Sequence, residues 1–337
     1  MRCQSCVLAV FVAGVVSAGN SLAAEPHYST DDIRLAISKS IPQLEKGSAG
    51  SADNRKCFTC HRQAAPILAL VEAQRHGFEI DEHNLKRQLK HTADHLKRGQ
   101  KNYLEGRGQG GSVITAGYAL WALEAGGQES NETTTAVAGY LLQTQKNANH
   151  WSQTSRRPPT SGSDFTTTYL ALRGLATFGT SEQQPKIDAR KEVVSKWLLD
   201  TSPTETEDRV FRLRAMKYVV ASKDVVRATA AKLIKSQRSN GGWSQTPDME
   251  SDTYATATVL VALLRGDEFT AETPVVRRGI QYLLDTQLDD GTWHVVTRAK
   301  GFQEYFESGF PHGKDQFISI AASSWATLAL SLTLPES

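Results

Sequence analysis

Apolar residues recur at three- and four-residue intervals along most of this chain, a pattern that predicts helices. The pattern is clearest at 278–293, where Ile280, Leu283 and Leu284 form one apolar stripe. The Asp-Gly pair at 290–291 then ends the helix with a turn. The alternation of apolar and polar residues that is typical of strands is nearly absent, so we predict an all-α fold.

The predicted helices occur in pairs, each made of a first helix, a turn or polar loop, and an Ala-rich second helix. In the first pair we expect helices at Thr30–Leu44 and Cys57–Gly77, with a loop at Gly47–Asn54. Six such pairs account for the chain, at about residues 29–77, 82–127, 133–179, 188–221, 224–266 and 274–334. Repetition at intervals of tens of residues indicates stacked units, so we predict one closed array.

A glutamine and a tryptophan six residues apart mark the turn in three of these pairs. The copies are Gln145/Trp151, Gln237/Trp243 and Gln287/Trp293. A Gln amide can bond the backbone groups left unpaired at a helix end, while an indole covers them. The repeat therefore has a structural role and by itself indicates no chemistry.

These segments resemble the QW motif of the squalene–hopene cyclase and oxidosqualene cyclase family. In that motif a basic residue, Gly, an aromatic residue and Leu precede Gln, Gly and Trp; the copy at 278–293 matches in full. The copy at 237–243 matches its Gln-Gly-Trp end, and the copy at 139–151 lacks the turn glycine. The Gly-Phe-Pro sequence at 309–311 resembles a second segment of the family.

The resemblance implies an α/α toroid of six helix hairpins, closed into a barrel and formed by residues 25–337 as a single domain. The second helix of each pair would line the inside of that barrel. The aromatic residues then expected on the inner helices are Tyr118, Trp121, Tyr169, Phe211, Tyr254 and Trp325.

The first 24 of the 337 residues have the composition of a secretory signal peptide. Arg2 is the charged start, 7–16 the apolar core and 21–23 a small-residue cleavage site. The apolar run is too short to span a bilayer, so we expect an exported, periplasmic protein with no transmembrane segment. Removal of Arg2 changes the formal net charge from +2 to +1. This near-neutral balance gives no reason to expect a nucleic acid or an anionic membrane as partner.

A Cys-x-x-Cys-His sequence, formed by Cys57, Cys60 and His61, lies in the first predicted pair. This is the attachment motif of c-type cytochromes, in which the two thiols bind the haem vinyl groups and the histidine ligates the iron. We therefore predict covalent haem c, with His61 as the metal ligand. A local disulfide or part of another metal site are the alternatives. His91 and His95, four residues apart, are expected on a solvated helix face.

A squalene-type cyclase needs an acid to protonate its substrate, and the family's motif for it is Asp-x-Asp-Asp followed by Thr. The matching segment is 249–253, in which Asp252 and Thr253 match the last Asp and the Thr. Ser251 occupies the position of the protonating Asp. Ser251 or Asp252 is expected to cap a helix, and Asp252 is the best remaining catalytic candidate in this segment.

Three functions follow as hypotheses. The first is a haem-bearing electron-transfer protein with a redox partner, in which the toroid serves as scaffold. The second is an isoprenoid cyclase or related terpenoid-processing enzyme with Asp252 as acid. The third is a non-catalytic module that binds an apolar small molecule, with Cys57 and Cys60 joined as a disulfide.

Overall fold

The computed structural model describes residues 27–154, 157–266, 268–301 and 304–336, so the predicted signal peptide lies outside the described residues. A π-helix at Cys60–Ala64 precedes α2, and two short strands, Trp243–Ser244 and Ser251–Asp252, pair antiparallel before α11. The α-helices are α1 Thr30–Asn54, α2 Ala65–Arg75, α3 Glu82–Arg98, α4 Gln100–Leu104, α5 Ser112–Ala125, α6 Glu132–Gln143, α7 Asp164–Phe178, α8 Gln184–Asp200, α9 Thr206–Ala215, α10 Lys223–Lys235, α11 Thr253–Leu264, α12 Pro274–Thr286 and α13 Gln316–Ser331.

The helices form two concentric rings, which confirms the predicted all-α toroid. The inner ring is α2, α5, α7, α9, α11 and α13, each in contact with the next, and α13 packs back against α2 to close it. Six helices pack outside this ring: α1 against α13, α3 against α5, α6 and α8 against α7, α10 against α9, and α12 against α11. No helix within the described residues is long and apolar enough to cross a membrane.

The two rings differ in sequence because they differ in burial. Nearly every side chain of α11 and α13 is buried, and both helices are apolar around their circumference. Several of their Ser and Thr hydroxyls are satisfied within the helix, as where Thr258 donates to the carbonyl of Tyr254 at 2.9 Å and Thr327 to that of Ser323 at 2.8 Å. The outer helices bury a single face, as expected for amphipathic helices on a core.

Two of the three Gln–Trp copies join neighbouring units, through Gln237 and Gln287, whereas the Gln145 amide bonds the backbone of Ser152 in its own turn. The Trp293 indole donates to the carbonyl of Leu283 at 2.8 Å, at the end of α12. The Gln287 amide donates to the carbonyl of Ala36 in α1 at 2.8 Å. The bond from Gln287 therefore ties the last unit to the first, and the predicted structural role of the motif is confirmed.

The predicted loop at Gly47–Asn54 is wrong, because α1 continues through it to Asn54. Gly47 lies against Phe310 and Ile320, and Gly50 lies against the backbone of Ser308. An added Cβ at either glycine would overlap these atoms. The small residues that suggested a loop in the sequence instead allow the long last loop to pack closely on α1.

Candidate functional site

A cavity of about 670 Å³ opens at the end of the barrel where the inner helices finish. Its apolar wall includes Leu68 and Val71 of α2, Leu213 of α9 and Leu328 of α13. Charged side chains also line it, among them Arg214. A cleft of this size, with an apolar wall beside converging charged groups, has the dimensions of a small-molecule site.

The six aromatic residues expected inside the barrel are all buried, but not all of them face open space. Trp121 and Tyr169 line the cavity, with ring centroids 5.5 Å apart. Trp121 also packs against Tyr118 and Trp325, at 6.1 and 5.7 Å. The remaining four rings are buried and do not line the cavity. Ring contacts join five of the six residues, all but Tyr254, into one continuous cluster.

The Arg214 guanidinium occupies the middle of this aromatic cluster. Its central carbon lies 4.6 Å from the ring centroid of Trp121 and 4.7 Å from that of Tyr169, with Phe211 and Trp325 at 5.4 and 5.5 Å. Its Nη2 donates to the Tyr169 hydroxyl at 2.8 Å. These rings therefore already stabilise a cation in this conformation.

Glu207, in the first turn of α9, is a buried carboxyl in the barrel interior. Thr166 of α7 donates to Oε1 at 2.8 Å, and the Tyr254 hydroxyl of α11 donates to Oε2 at 3.2 Å. Burial raises the pKa of Glu207 to about 8, against the opposing effect of these two hydrogen bonds. The carboxyl is therefore protonated at neutral pH and can act as a proton donor.

The sequence analysis missed Glu207, although a signal was present. The segment 205–208 reads Glu-Thr-Glu-Asp, which has the acid-x-acid-acid spacing of the cyclase motif with Glu in its first and third positions. Glu205 pairs with Arg298 at 2.7 Å. Asp208 accepts from the Ser163 hydroxyl at 2.7 Å. The two flanking acids are thus engaged at the helix start, and the middle one faces inward.

Asp252 caps α11, as predicted, through a 3.0 Å bond from the backbone N–H of Ala255 to its Oδ1. Burial raises the pKa of Asp252 to about 6. At neutral pH this carboxyl is therefore mostly ionised, unlike Glu207. A catalytic role for Asp252 stays a prediction, and its geometry is that of a helix cap.

Cys57, Cys60 and His61 lie between α1 and α2, at the opposite end of α2 from the cavity opening. Both thiols are free, so the disulfide alternative is not what the structure contains. The His61 ring is buried against Phe317, with ring centroids 5.2 Å apart, and burial lowers its pKa well below the usual value. Covalent haem at these three residues stays a prediction.

The prediction that His91 and His95 lie on a solvated helix face is wrong for His95. That side chain is buried, with its ring 6.0 Å from that of Phe58, and burial lowers its pKa to about 4. The loop carrying Cys57 folds over this part of α3, which the helical pattern alone did not reveal. Within the described residues, no group of three or more His, Cys, Asp or Glu side chains is placed to hold a metal ion.

The fold is that of a terpene-cyclase-like helical toroid. Residues 205–327 match the squalene–hopene cyclase C-terminal domain, a segment that begins at the acidic start of α9. No curated protein sequence is similar enough to this chain to count as a match.

Among solved structures, the fold is similar to the type II terpene cyclase MstE from Scytonema. Its apo form has a TM-score of 0.57 at 14% identity, with 90% of this chain and 98% of that chain covered. A complex of a variant with geranylgeranyl dihydroxybenzoate, its substrate, has a TM-score of 0.55, with 90% and 97% covered. A protein from Actinoplanes has a TM-score of 0.53 at 13% identity, and the match covers 87% of this chain and 99% of that one. At these identities the likeness concerns the fold.

These matches correct the leading functional hypothesis. A haem-bearing electron-transfer protein that uses the toroid as a scaffold is wrong as the main interpretation. The cyclase-domain match and the fold shared with terpene cyclases support the isoprenoid alternative instead.

Proposed function

We propose that this chain is an isoprenoid-processing enzyme of the type II terpene cyclase kind, with Glu207 as its general acid. The observation that carries the proposal is a protonated carboxyl held inside an aromatic barrel. The similarity of residues 205–327 to a cyclase domain supports it. So does the bound substrate of a protein with a similar fold, which has a geranylgeranyl chain.

The first step would be proton transfer from the Glu207 carboxyl to a carbon–carbon double bond of the substrate. A C–H bond forms, Glu207 becomes a carboxylate, and the neighbouring carbon becomes a cation. Attack by a second double bond closes a ring, and loss of a proton from the final cation restores neutrality. Aromatic faces that Arg214 does not already contact, those of Tyr118 and Tyr254, would stabilise positive charge along this path. Tyr254 and Thr166, which hydrogen-bond Glu207, would hold its carboxylate until it is reprotonated.

The test is incubation of the full chain with squalene and, separately, geranylgeranyl dihydroxybenzoate, followed by mass spectrometry of the products. We expect a cyclised product with the mass of its substrate. Glu207→Gln keeps the side-chain shape and removes the acidic proton, so it should lower turnover at least about 100-fold. Wild-type turnover should persist through neutral pH and fall above about pH 8 as Glu207 ionises.

Asp252→Asn is the matched control, because Asn is also a good helix cap. It should keep the fold and most of the turnover. The reverse result, with Asp252→Asn inactive and Glu207→Gln active, would assign the acid to Asp252 and refute this proposal. Absence of turnover with both substrates, despite tight binding, would favour a non-catalytic module for an apolar ligand.

A further inference from the structure

We propose that the cavity binds an isoprenoid-like ligand through an anionic group, a carboxylate or phosphate, and that Arg214 is the principal contact for that group. This ligand class rests on the function proposed above. Arg214, in the last turn of α9, lines the cavity, whereas Glu207, in the first turn, lies deeper in the barrel and outside the cavity lining. Three observations support it: the surroundings of Arg214, the charge balance of the cavity wall, and the apolar area beside it.

Arg214 is a buried cation without a carboxylate partner among the described residues. Its side chain is about nine-tenths buried and lines the cavity. Nη2 donates to the Tyr169 hydroxyl, whereas Nη1 has no hydrogen-bond partner within the part of the chain that the structure describes. Burying an unpaired charge is costly, and cation–π contacts offset only part of that cost. An anion that reaches Arg214 would supply the missing partner.

The cavity wall has a surplus of positive charge. Seven basic side chains and three carboxylates line it among the described residues. Each carboxylate already pairs with an arginine, so none is left to neutralise Arg214. The pairs are Glu72 with Arg265, Glu124 with Arg173, and Glu268 with Arg227.

Arg173 adds a second fixed cation near Arg214. Glu124 holds it through two 2.8 Å bonds, and its Nη1 donates to the hydroxyls of Tyr169 and Tyr218 at 3.3 and 3.0 Å. Tyr169 therefore contacts both guanidinium groups. Arg173 is already engaged through all three of its nitrogens, so the donor that an anion would meet is Nη1 of Arg214, whose geometry suits carboxylate and phosphate oxygens.

The rest of the lining is apolar, with Leu68, Val71, Leu213 and Leu328 beside these cations. A small inorganic anion would leave that surface uncovered, and a neutral hydrocarbon would leave Arg214 unpaired. A ligand with both an apolar chain and an anionic group satisfies both parts of the wall.

The experiment measures binding to the full chain by calorimetry, with Trp fluorescence as a second readout because Trp121 and Trp325 lie beside Arg214. The probes share one apolar chain: geranylgeraniol, geranylgeranoic acid and geranylgeranyl diphosphate. We expect at least one of the two anions to bind tenfold or more tightly than the alcohol, with an affinity that falls as salt rises. The acid and the diphosphate distinguish a carboxylate from a phosphate ligand.

Arg214→Met should remove the advantage of the anionic probe and leave the affinity for geranylgeraniol within about twofold. Arg209→Gln is the matched control, since it removes the same charge from the same helix at a residue outside the cavity lining. It should leave all three affinities unchanged. If Arg214→Met does not fold, the affinities of the three probes for the wild-type chain still test the proposal.

Equal affinity for the alcohol and both anions would overturn the proposal. Pyrophosphate alone binding as tightly as the geranylgeranyl diphosphate would also overturn it, since the apolar chain would then contribute nothing. Glu207→Gln separates this proposal from the enzymatic one. An anion preference that survives in that variant supports the ligand site whether or not the wild-type chain shows turnover.

Discussion

Replacing Glu207 by Gln should change how the stability of this protein depends on pH. In the folded chain, burial keeps Glu207 protonated up to about pH 8, whereas an ordinary Glu loses its proton near pH 4.5. Between these values the unfolded chain binds one proton fewer than the folded chain. The contribution of Glu207 to the free energy of unfolding therefore falls as pH rises between these values.

The magnitude follows from the size of the shift. One proton corresponds to about 1.4 kcal/mol per pH unit. The stability contribution of Glu207 is fully present below pH 4.5 and is lost as pH rises towards 8, a total of about 5 kcal/mol over the 3.5 units of the shift. Gln at this position cannot ionise, and it retains an oxygen that can accept from Thr166 or Tyr254.

Urea denaturation of the wild type and of Glu207→Gln, followed by circular dichroism at pH 5.5, 6.5 and 7.5, measures the effect. The difference in unfolding free energy between the two proteins should shift in favour of the variant by about 3 kcal/mol over these two pH units. The other titrating groups are present in both proteins and cancel in the difference. If the unfolding free energies of the two proteins changed with pH in parallel, the assignment of a raised pKa to Glu207 would be refuted.

Substitutions at three further positions test the scaffold, each by urea denaturation. Gln287→Ala removes the bond to the Ala36 carbonyl that joins the last unit to the first, and should cost about 2 kcal/mol; an unchanged midpoint would argue against ring closure through this side chain. Gly291→Ala should cost more than about 1 kcal/mol, because φ is +84° and the added Cβ would overlap the Lys39 backbone; a stable variant would contradict that packing. Asp252→Ala should cost about 1 kcal/mol through loss of the cap, and Asp252→Asn only a few tenths; equal losses in both would contradict capping.

The architecture could be predicted from sequence because its determinants are local and repeated. Each Gln–Trp pair lies within one helix–turn segment, and its spacing of six residues is visible in three copies. The amphipathic stripe of α12 and the apolar composition of α13 likewise follow from short-range periodicity. The sequence pattern alone was misleading at Gly47–Asn54, where glycines that resemble a loop allow close helix packing.

The spacing of acids at 205–208 is visible in the sequence, but the burial of Glu207 is not. Acidic residues are common in the first turn of an exposed helix, where they interact favourably with the helix dipole. Its raised pKa depends on desolvation, and only the assembled barrel removes water from it. Thr166 and Tyr254, the residues that hold it, are 41 and 47 positions away in the chain. Arg214 depends on tertiary structure in the same way, since three of the four rings around it come from α5, α7 and α13. Sequence by itself therefore determined the repeats, the helices and the closed ring, whereas the chemistry of the interior was decided only when distant helices packed together and excluded solvent.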